Sequence, residues 1–181
     1  MEYTKLEEIN KKLKKVDIQN KKYVQVNERV KAFWKLCENG RISTEILKLD
    51  NGVCVIKAEI YENKNDPEPR ATGIAHEKEG SSFINKTSYV ENCETSAIGR
   101  ALGNAGIGID TAIASADEVT NAIENQKKIS PVMVDALKDL IKTKNISNEI
   151  VIATLDEYGY KKLADITVAD VTYIRNKFAR L

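Results

Sequence analysis

Four carboxylates, Glu59, Glu77, Glu91 and Glu94, fall on segments from which a magnesium-dependent nuclease could gather its ligands. Two lie in strand-like sequence and two at the start of a helix-like stretch, so a pair could meet. A solvated acidic edge is the plainer reading, and acids near a helix N-terminus also complement the positive end of its dipole. Cys93 beside Glu94 could be an activated thiol, but its one possible histidine partner is His76, and a buried structural cysteine explains it as well. His76, next to Glu77 in strand-like sequence, reads as a surface residue. Gly99, Gly103, Gly106 and Gly108 lack the Lys-Ser or Lys-Thr that completes a phosphate loop, and GNAGIG follows a helix rather than a strand, which argues against a dinucleotide site.

The segment KTSYVENCETSAIGRALGNAGIG, residues 86–108, predicts one helix over 88–105 made mostly of small residues, with Arg100 in its last third. Ala97, Ala101 and Ala105 repeat every four residues, and Gly99 and Gly103 run on a neighbouring row. A glycine in a helix interior costs about 1 kcal/mol against alanine, so another backbone is expected to approach closely there.

Around this helix the other elements follow from hydrophobic period. Leu6, Ile9, Leu13 and Val16 predict an amphipathic helix over 3–16. Val26, Val30, Phe33, Trp34 and Cys37 predict a second, ended by Asn39-Gly40 as residues that tolerate a left-handed backbone. From Arg41 the period changes to that of strands, one on each side of the turn Asp50-Asn51-Gly52, with a third from Ala71 to Lys78. Ser115 with Glu118 forms a capping-box start, Ser130-Pro131 opens another helix, and Thr167 caps the last. The expected fold class is α+β: an antiparallel, curved three-stranded sheet crossed by a long helix, an N-terminal helix pair, and a small C-terminal three-helix module.

The chain has 181 residues and a formal net charge of +1, so bulk charge neither requires nor excludes a nucleic-acid partner. The distribution is uneven: residues 1–35 hold nine lysines and Arg29 against five acids, and Lys11 to Lys22 are either a solvated helix face or a nucleic-acid surface. Cys37, Cys54 and Cys93 read as reduced core thiols, and one histidine without a CxxC pair argues against structural zinc. No cofactor is expected. With no apolar run of spanning length and no hydrophobic signal core, the expectation is a cytoplasmic protein without membrane contact.

The order of elements, with YVQVNERVKAFW at 23–34 and ETSAIGRALGNAGIGI at 94–109, resembles the Rad fifty-two-like single-strand annealing proteins, in particular their Sak-type phage recombination branch. The resemblance covers about residues 20–112. It implies an ATP-independent, non-enzymatic protein of homologous recombination and DNA repair. Such a protein assembles as a homo-oligomeric ring or spiral, holds single-stranded DNA in a basic groove and anneals complementary strands. Arg29 then matches an arginine contacting the DNA backbone, and Arg100 the basic position before Ala-Leu on the long helix. Eukaryotic members carry lysine where this chain has Gly99, so Lys57, Arg70, Lys78 and Lys86 are the candidates for the remaining contacts. Tyr61, Phe83 and Tyr89 could stack on bases, with core packing the plainer role for Phe83.

On this reading residues 1–112 are the annealing core, 113–128 a connecting helix and linker, and 129–181 a helical module. That module is expected to contact a partner, such as a single-stranded DNA-binding protein or another recombination protein, or a second DNA surface. If the chain is phage-encoded, its compartment is the cytoplasm of a bacterial host. The alternatives are a metal-dependent nuclease built on the four glutamates and a phage interaction protein that binds a host factor.

Overall fold

The computed structural model describes residues 1–82, 84–109 and 112–181, the side chain of Asp117 apart. Chain contacts divide it into two compact units within α4 (Ala116–Gln126). The first comprises Met1–Glu79 and Ile84–Asn121; the second takes in a short stretch from Gly80 and Ala122–Leu181.

The first unit begins with α1 (Tyr3–Lys12), shorter than the helix its period predicts. The chain turns extended at Leu13 and forms a two-stranded antiparallel ribbon, β1 (Lys15–Ile18) and β2 (Lys21–Val24). Gln19 and Asn20 join them, both with φ in the left-handed region, at 48° and 63°. Such a turn matches the twist of a two-residue hairpin. The ribbon replaces the last turn of the expected helix, and the pattern conceals it because the turn lacks glycine and Val16 continues the helical spacing of Leu13.

Helix α2 (Val26–Leu36) buries Val26, Arg29, Ala32 and Phe33. Trp34, expected on the apolar face, is instead 44% exposed, its ring edge-on to Phe33 with centroids 4.9 Å apart. Gly40, beyond α2, does not adopt the left-handed backbone. It is small for another reason: a Cβ there would stand 2.5 Å from Cζ of Phe33.

The sheet is β3 (Arg41–Asp50), β4 (Val53–Tyr61) and β5 (Ala71–Lys78), antiparallel in that order. Asn51 and Gly52, at φ 49° and 71°, form the tight turn the sequence predicts. A bulge between Ile46 and Lys48 interrupts β3, a common feature of edge strands. Cys54, Ile56, Ala58 and Ile60 alternate along β4 into the core, while Val53, Val55, Lys57 and Glu59 face away.

Helix α3 (Tyr89–Asn104) crosses the core side of β4 and β5. The close backbone approach is real, but the glycine that permits it is on the strand. A Cβ on Gly73 would lie 2.4 Å from the Ala101 nitrogen and 2.7 Å from the Ala97 carbonyl. Gly99 and Gly103 face α2 instead, where added carbons would meet Val26 Cγ2 at 2.7 Å and Arg29 Nη1 at 2.9 Å. The loop after α3 turns through Gly106 and Gly108, both at positive φ. Asn10 clamps it, donating to the Gly106 carbonyl and accepting from the Gly108 amide.

In the second unit, α5 (Pro131–Thr143), α6 (Asn148–Glu157) and α7 (Val168–Arg180) enclose Leu137, Leu155, Ile166, Ile174 and Phe178. Ser130 caps α5 as its sequence predicts. Thr167 precedes α7 without capping it through its side chain; its hydroxyl meets Tyr160 at 2.9 Å.

Candidate nucleic-acid interface

The six cations expected to line one groove do not share a surface. Arg29 is fully buried. Its Nη1 donates to the carbonyls of Gly99 and Ile113, both at 2.7 Å, and its Nη2 to those of Ala112 at 2.9 Å and Gly108 at 3.4 Å. A guanidinium offers the fan of donors that satisfies several carbonyls at once. The expectation that Arg29 contacts a DNA backbone is therefore corrected: its charge is spent inside the protein.

Arg100 is on the exposed strip of α3 and its Nε donates to Oε1 of Glu118 at 2.7 Å. The other oxygen of Glu118 accepts from the Ser115 amide at 2.8 Å, while Ser115 Oγ accepts from the Glu118 amide. The predicted capping box is formed, and Arg100 is tied to it.

Lys57 lies on the face of the sheet turned away from α3, bonded to Glu59 at 2.5 Å. The sheet thus stands between Lys57 and Arg100. Glu59 also accepts from the Tyr61 hydroxyl at 2.7 Å, and the Lys57 bond followed by the Tyr61 bond holds its carboxyl below the usual range. Arg41, opposite Tyr61 on β3, lays its guanidinium 3.8 Å from the centre of the ring. Tyr61 is thereby covered rather than open to stack on a base. Arg70 leans on Glu62 at 3.4 Å. Lys78 and Lys86 are exposed, one at the end of β5 and the other in the 3-10 turn Ile84–Lys86 before α3. Tyr89 begins α3 and packs against the core, and Phe83 lies outside the described residues.

The carboxylates are dispersed too. Glu59 is on the open face of the sheet, whereas Glu77 pairs with Cys54 on the core face and accepts from Asn85 at 2.6 Å. Burial pushes the Glu77 carboxyl up. Glu94 accepts from Thr44, and Glu91 is exposed in the first turn of α3. Among the described residues no group of three or more His, Cys, Asp or Glu is placed to hold a metal ion. Cys93 is fully buried, with its thiol against the carbonyls of Ala75 and Cys54, and burial pushes its pKa up to about 12. A thiol so protonated is no nucleophile. His76 is exposed on β5, and all three cysteines are free and buried.

A cluster of exposed lysines stands on the N-terminal ribbon and at the end of α1. Lys12, Lys15, Lys21 and Lys22 are exposed, and none makes a salt bridge among the described residues. Lys22 is opposite Asp17 and diagonal to Lys15 on one ribbon face. Val16, Ile18 and Tyr23 are half-buried on the other, which also carries Lys21. Lys14 is close to Glu28, whose carboxyl is held below its ordinary range mainly by Lys31. Exposed lysines at neighbouring strand positions repel one another only weakly in water, below about 1 kcal/mol per pair, so the fold tolerates the cluster. The helical period over 3–16 puts Lys12 and Lys15 on the expected helix and leaves Lys21 and Lys22 beyond it. The signal for the ribbon is the alternation of Val16 and Ile18 with Lys15 and Asp17, and of Tyr23 with Lys22, on either side of the polar pair Gln19-Asn20.

One family model matches, described as Slr1353 N-terminal dsRNA-binding domain-like, over residues 30–105. That stretch is 76 of 181 residues and contains most of α2, the three strands of the sheet and α3. No curated protein and no solved structure matched the chain. At the coarse level the match points to a nucleic-acid-binding domain. It overturns the resemblance to the Rad fifty-two-like annealing proteins, because a different family describes the region that carried it. The burial of Arg29 and the pairing of Arg100 remove the residue-level basis as well. No helix among the described residues is long and apolar enough to cross a membrane.

Proposed function

We propose that the first unit is a non-enzymatic module that binds duplex nucleic acid, double-stranded RNA foremost, by holding phosphates with the lysines of the β1–β2 ribbon. The observation that carries this reading is the set of four exposed lysines, three on the ribbon and Lys12 at the end of α1, that make no salt bridge among the described residues. They adjoin a domain similar to a dsRNA-binding-like family. The matched segment supports the class of ligand, and the ribbon, which precedes it, supplies the charge.

Physical chemistry limits what such a ribbon can read. A two-stranded ribbon fits the major groove of B-form DNA, but the deep, narrow major groove of an RNA duplex excludes side chains. Lysines are point charges without the paired donors that distinguish base edges. Binding is therefore set by phosphates and duplex shape, with little dependence on sequence. Tyr61, the strand aromatic that single-strand annealing would use to stack a base, is covered by Arg41. The ribbon requires no ring of subunits.

The test is fluorescence anisotropy with an RNA duplex, a DNA duplex and a single strand, each of about 20 nucleotides per strand. If all four lysines neutralise phosphates, log affinity falls against log salt with a slope of about −3 to −4. The pair Lys15→Glu and Lys22→Glu should flatten that slope by about 2 and weaken duplex binding roughly 10- to 100-fold at low salt. Unchanged affinity in this double variant would remove the ribbon from the interface. Preference for the single strand, with annealing of its complement, would overturn the duplex reading.

A further inference from the structure

We propose that the cleft between α5 and α6 of the second unit is a docking site for an acidic peptide segment that carries an apolar side chain. The cleft has a volume of about 480 Å³, well inside the range of pockets that take small ligands. Its floor is aliphatic: Ile141, Ile146, Val151 and Leu163. Lys138 and Lys142 flank the floor, one helical turn apart on α5, and the carboxamides of Asn145 and Asn148 complete the lining.

The composition of this lining selects the ligand. Aliphatic groups take an apolar side chain, two ammonium groups take carboxylates, and carboxamides can bond a peptide backbone. Lys138 has a competing partner in Asp135 at 2.9 Å, but that pair is exposed and so contributes little that a ligand carboxylate would have to replace. Lys142 makes no salt bridge among the described residues, although its place in the last turn of α5 also complements the negative end of that helix. A nucleic acid would suit the site less well. Among the described residues no aromatic side chain lines the cleft to stack a base, no arginine grips a phosphate, and four aliphatic residues would face a polyanion. The charge therefore complements a short acidic stretch, and the floor asks for a Leu-like or Phe-like residue beside it.

The probe is an N-acetylated hexapeptide of four aspartates followed by Leu and Phe, titrated into the full-length chain labelled with nitrogen-15. Amide resonances of Lys138, Lys142, Asn145 and Asn148 are expected to shift together and saturably. Replacing the Leu and Phe of the probe by Ser should weaken binding about tenfold, a loss that requires no change in the protein. Lys142→Glu, at an exposed position, should weaken binding of the original peptide by a similar factor. Absence of shifts would overturn the proposal. So would an equal response to the serine peptide, unchanged affinity in the Lys142→Glu protein, or displacement of the peptide from these resonances by an oligonucleotide.

Discussion

Replacing Arg29 by alanine separates a structural arginine from a ligand-binding one. Among the described residues Arg29 makes four bonds to backbone carbonyls in or after α3, three of them between 2.7 and 2.9 Å. A hydrogen bond from a charged donor contributes about 1.5 to 3 kcal/mol, so these three short bonds together contribute at most about 9 kcal/mol. Truncation also relieves the desolvation of a buried guanidinium, and water entering the space left behind can rebond some carbonyls. Removing one side of a buried charged interaction costs about 3 to 5 kcal/mol in practice, and that is the expected loss here. Since domains are stable by about 5 to 15 kcal/mol, the variant should still fold, with a much reduced margin.

Trp34 provides the assay. It is the only tryptophan in the chain and is on α2 with Arg29, so its fluorescence during urea denaturation follows the first unit. With a urea dependence of about 2 kcal/mol per molar, a loss of 4 kcal/mol lowers the midpoint by about 2 M. Arg29→Lys should recover only part of this, because a compact ammonium cannot reach carbonyls on both sides of the site as a guanidinium does. At temperatures where Arg29→Ala remains folded, its affinity for duplex RNA should be that of the parent chain. A variant with an unchanged urea midpoint and lost nucleic-acid binding would refute the structural role and restore Arg29 to the interface.

Two further outcomes follow from the same unit. Gly73→Ala places a carbon against the backbone of α3 at Ala97 and Ala101, which cannot swing aside, and should cost about 1 to 3 kcal/mol. Gly159→Ala meets nothing within 4 Å and should cost the second unit only about 1 kcal/mol through its positive φ, so a Gly73→Ala loss below that value in circular-dichroism melts would contradict the packing described. The raised Cys93 thiol stays protonated in the folded chain, while the unfolded chain ionises near pH 9. Its contribution to stability is therefore complete below that pH and is lost as pH rises towards 12. The Trp34 urea midpoint should decline above pH 9, and iodoacetamide at pH 8 should modify Cys93 only as the unit unfolds; rapid alkylation of the native chain would contradict this.

Where local chemistry alone determined an element, the sequence was legible. Asn51-Gly52 could hardly be anything but a hairpin turn, and Ser115-Glu118 and Ser130-Pro131 act within three or four residues of themselves. The misreadings involve partners distant in sequence. The glycine row of α3 announced a close contact but not with what, and the glycine that admits the helix backbone is Gly73, more than twenty residues earlier on β5. An isolated glycine inside a strand is itself a sign of close approach. Arg29 had a comparable sign. It falls at helical spacing between Val26 and Phe33, on the buried stripe, where a cation needs acceptors brought from elsewhere in the fold. Those acceptors are 70 to 84 residues away along the chain, beyond the reach of any local pattern.

In a chain of net charge +1, the number of cations says less about a nucleic-acid site than what each cation already touches. Arg29 serves backbone carbonyls, Arg100 serves Glu118, Lys57 serves Glu59 and Arg70 leans on Glu62. A phosphate reaching any of these must first displace a protein acceptor, and the gain from counterion release is reduced by the interaction given up. Lys12, Lys15, Lys21 and Lys22 surrender no salt bridge of the described residues when a phosphate arrives. Three of these groups are on a hydrogen-bonded pair of strands and Lys12 ends α1, so ordering them on a duplex costs less than ordering the same lysines on a loose tail. For that reason the salt slope of the Lys15→Glu, Lys22→Glu protein is more decisive than any change in its affinity at a single salt concentration.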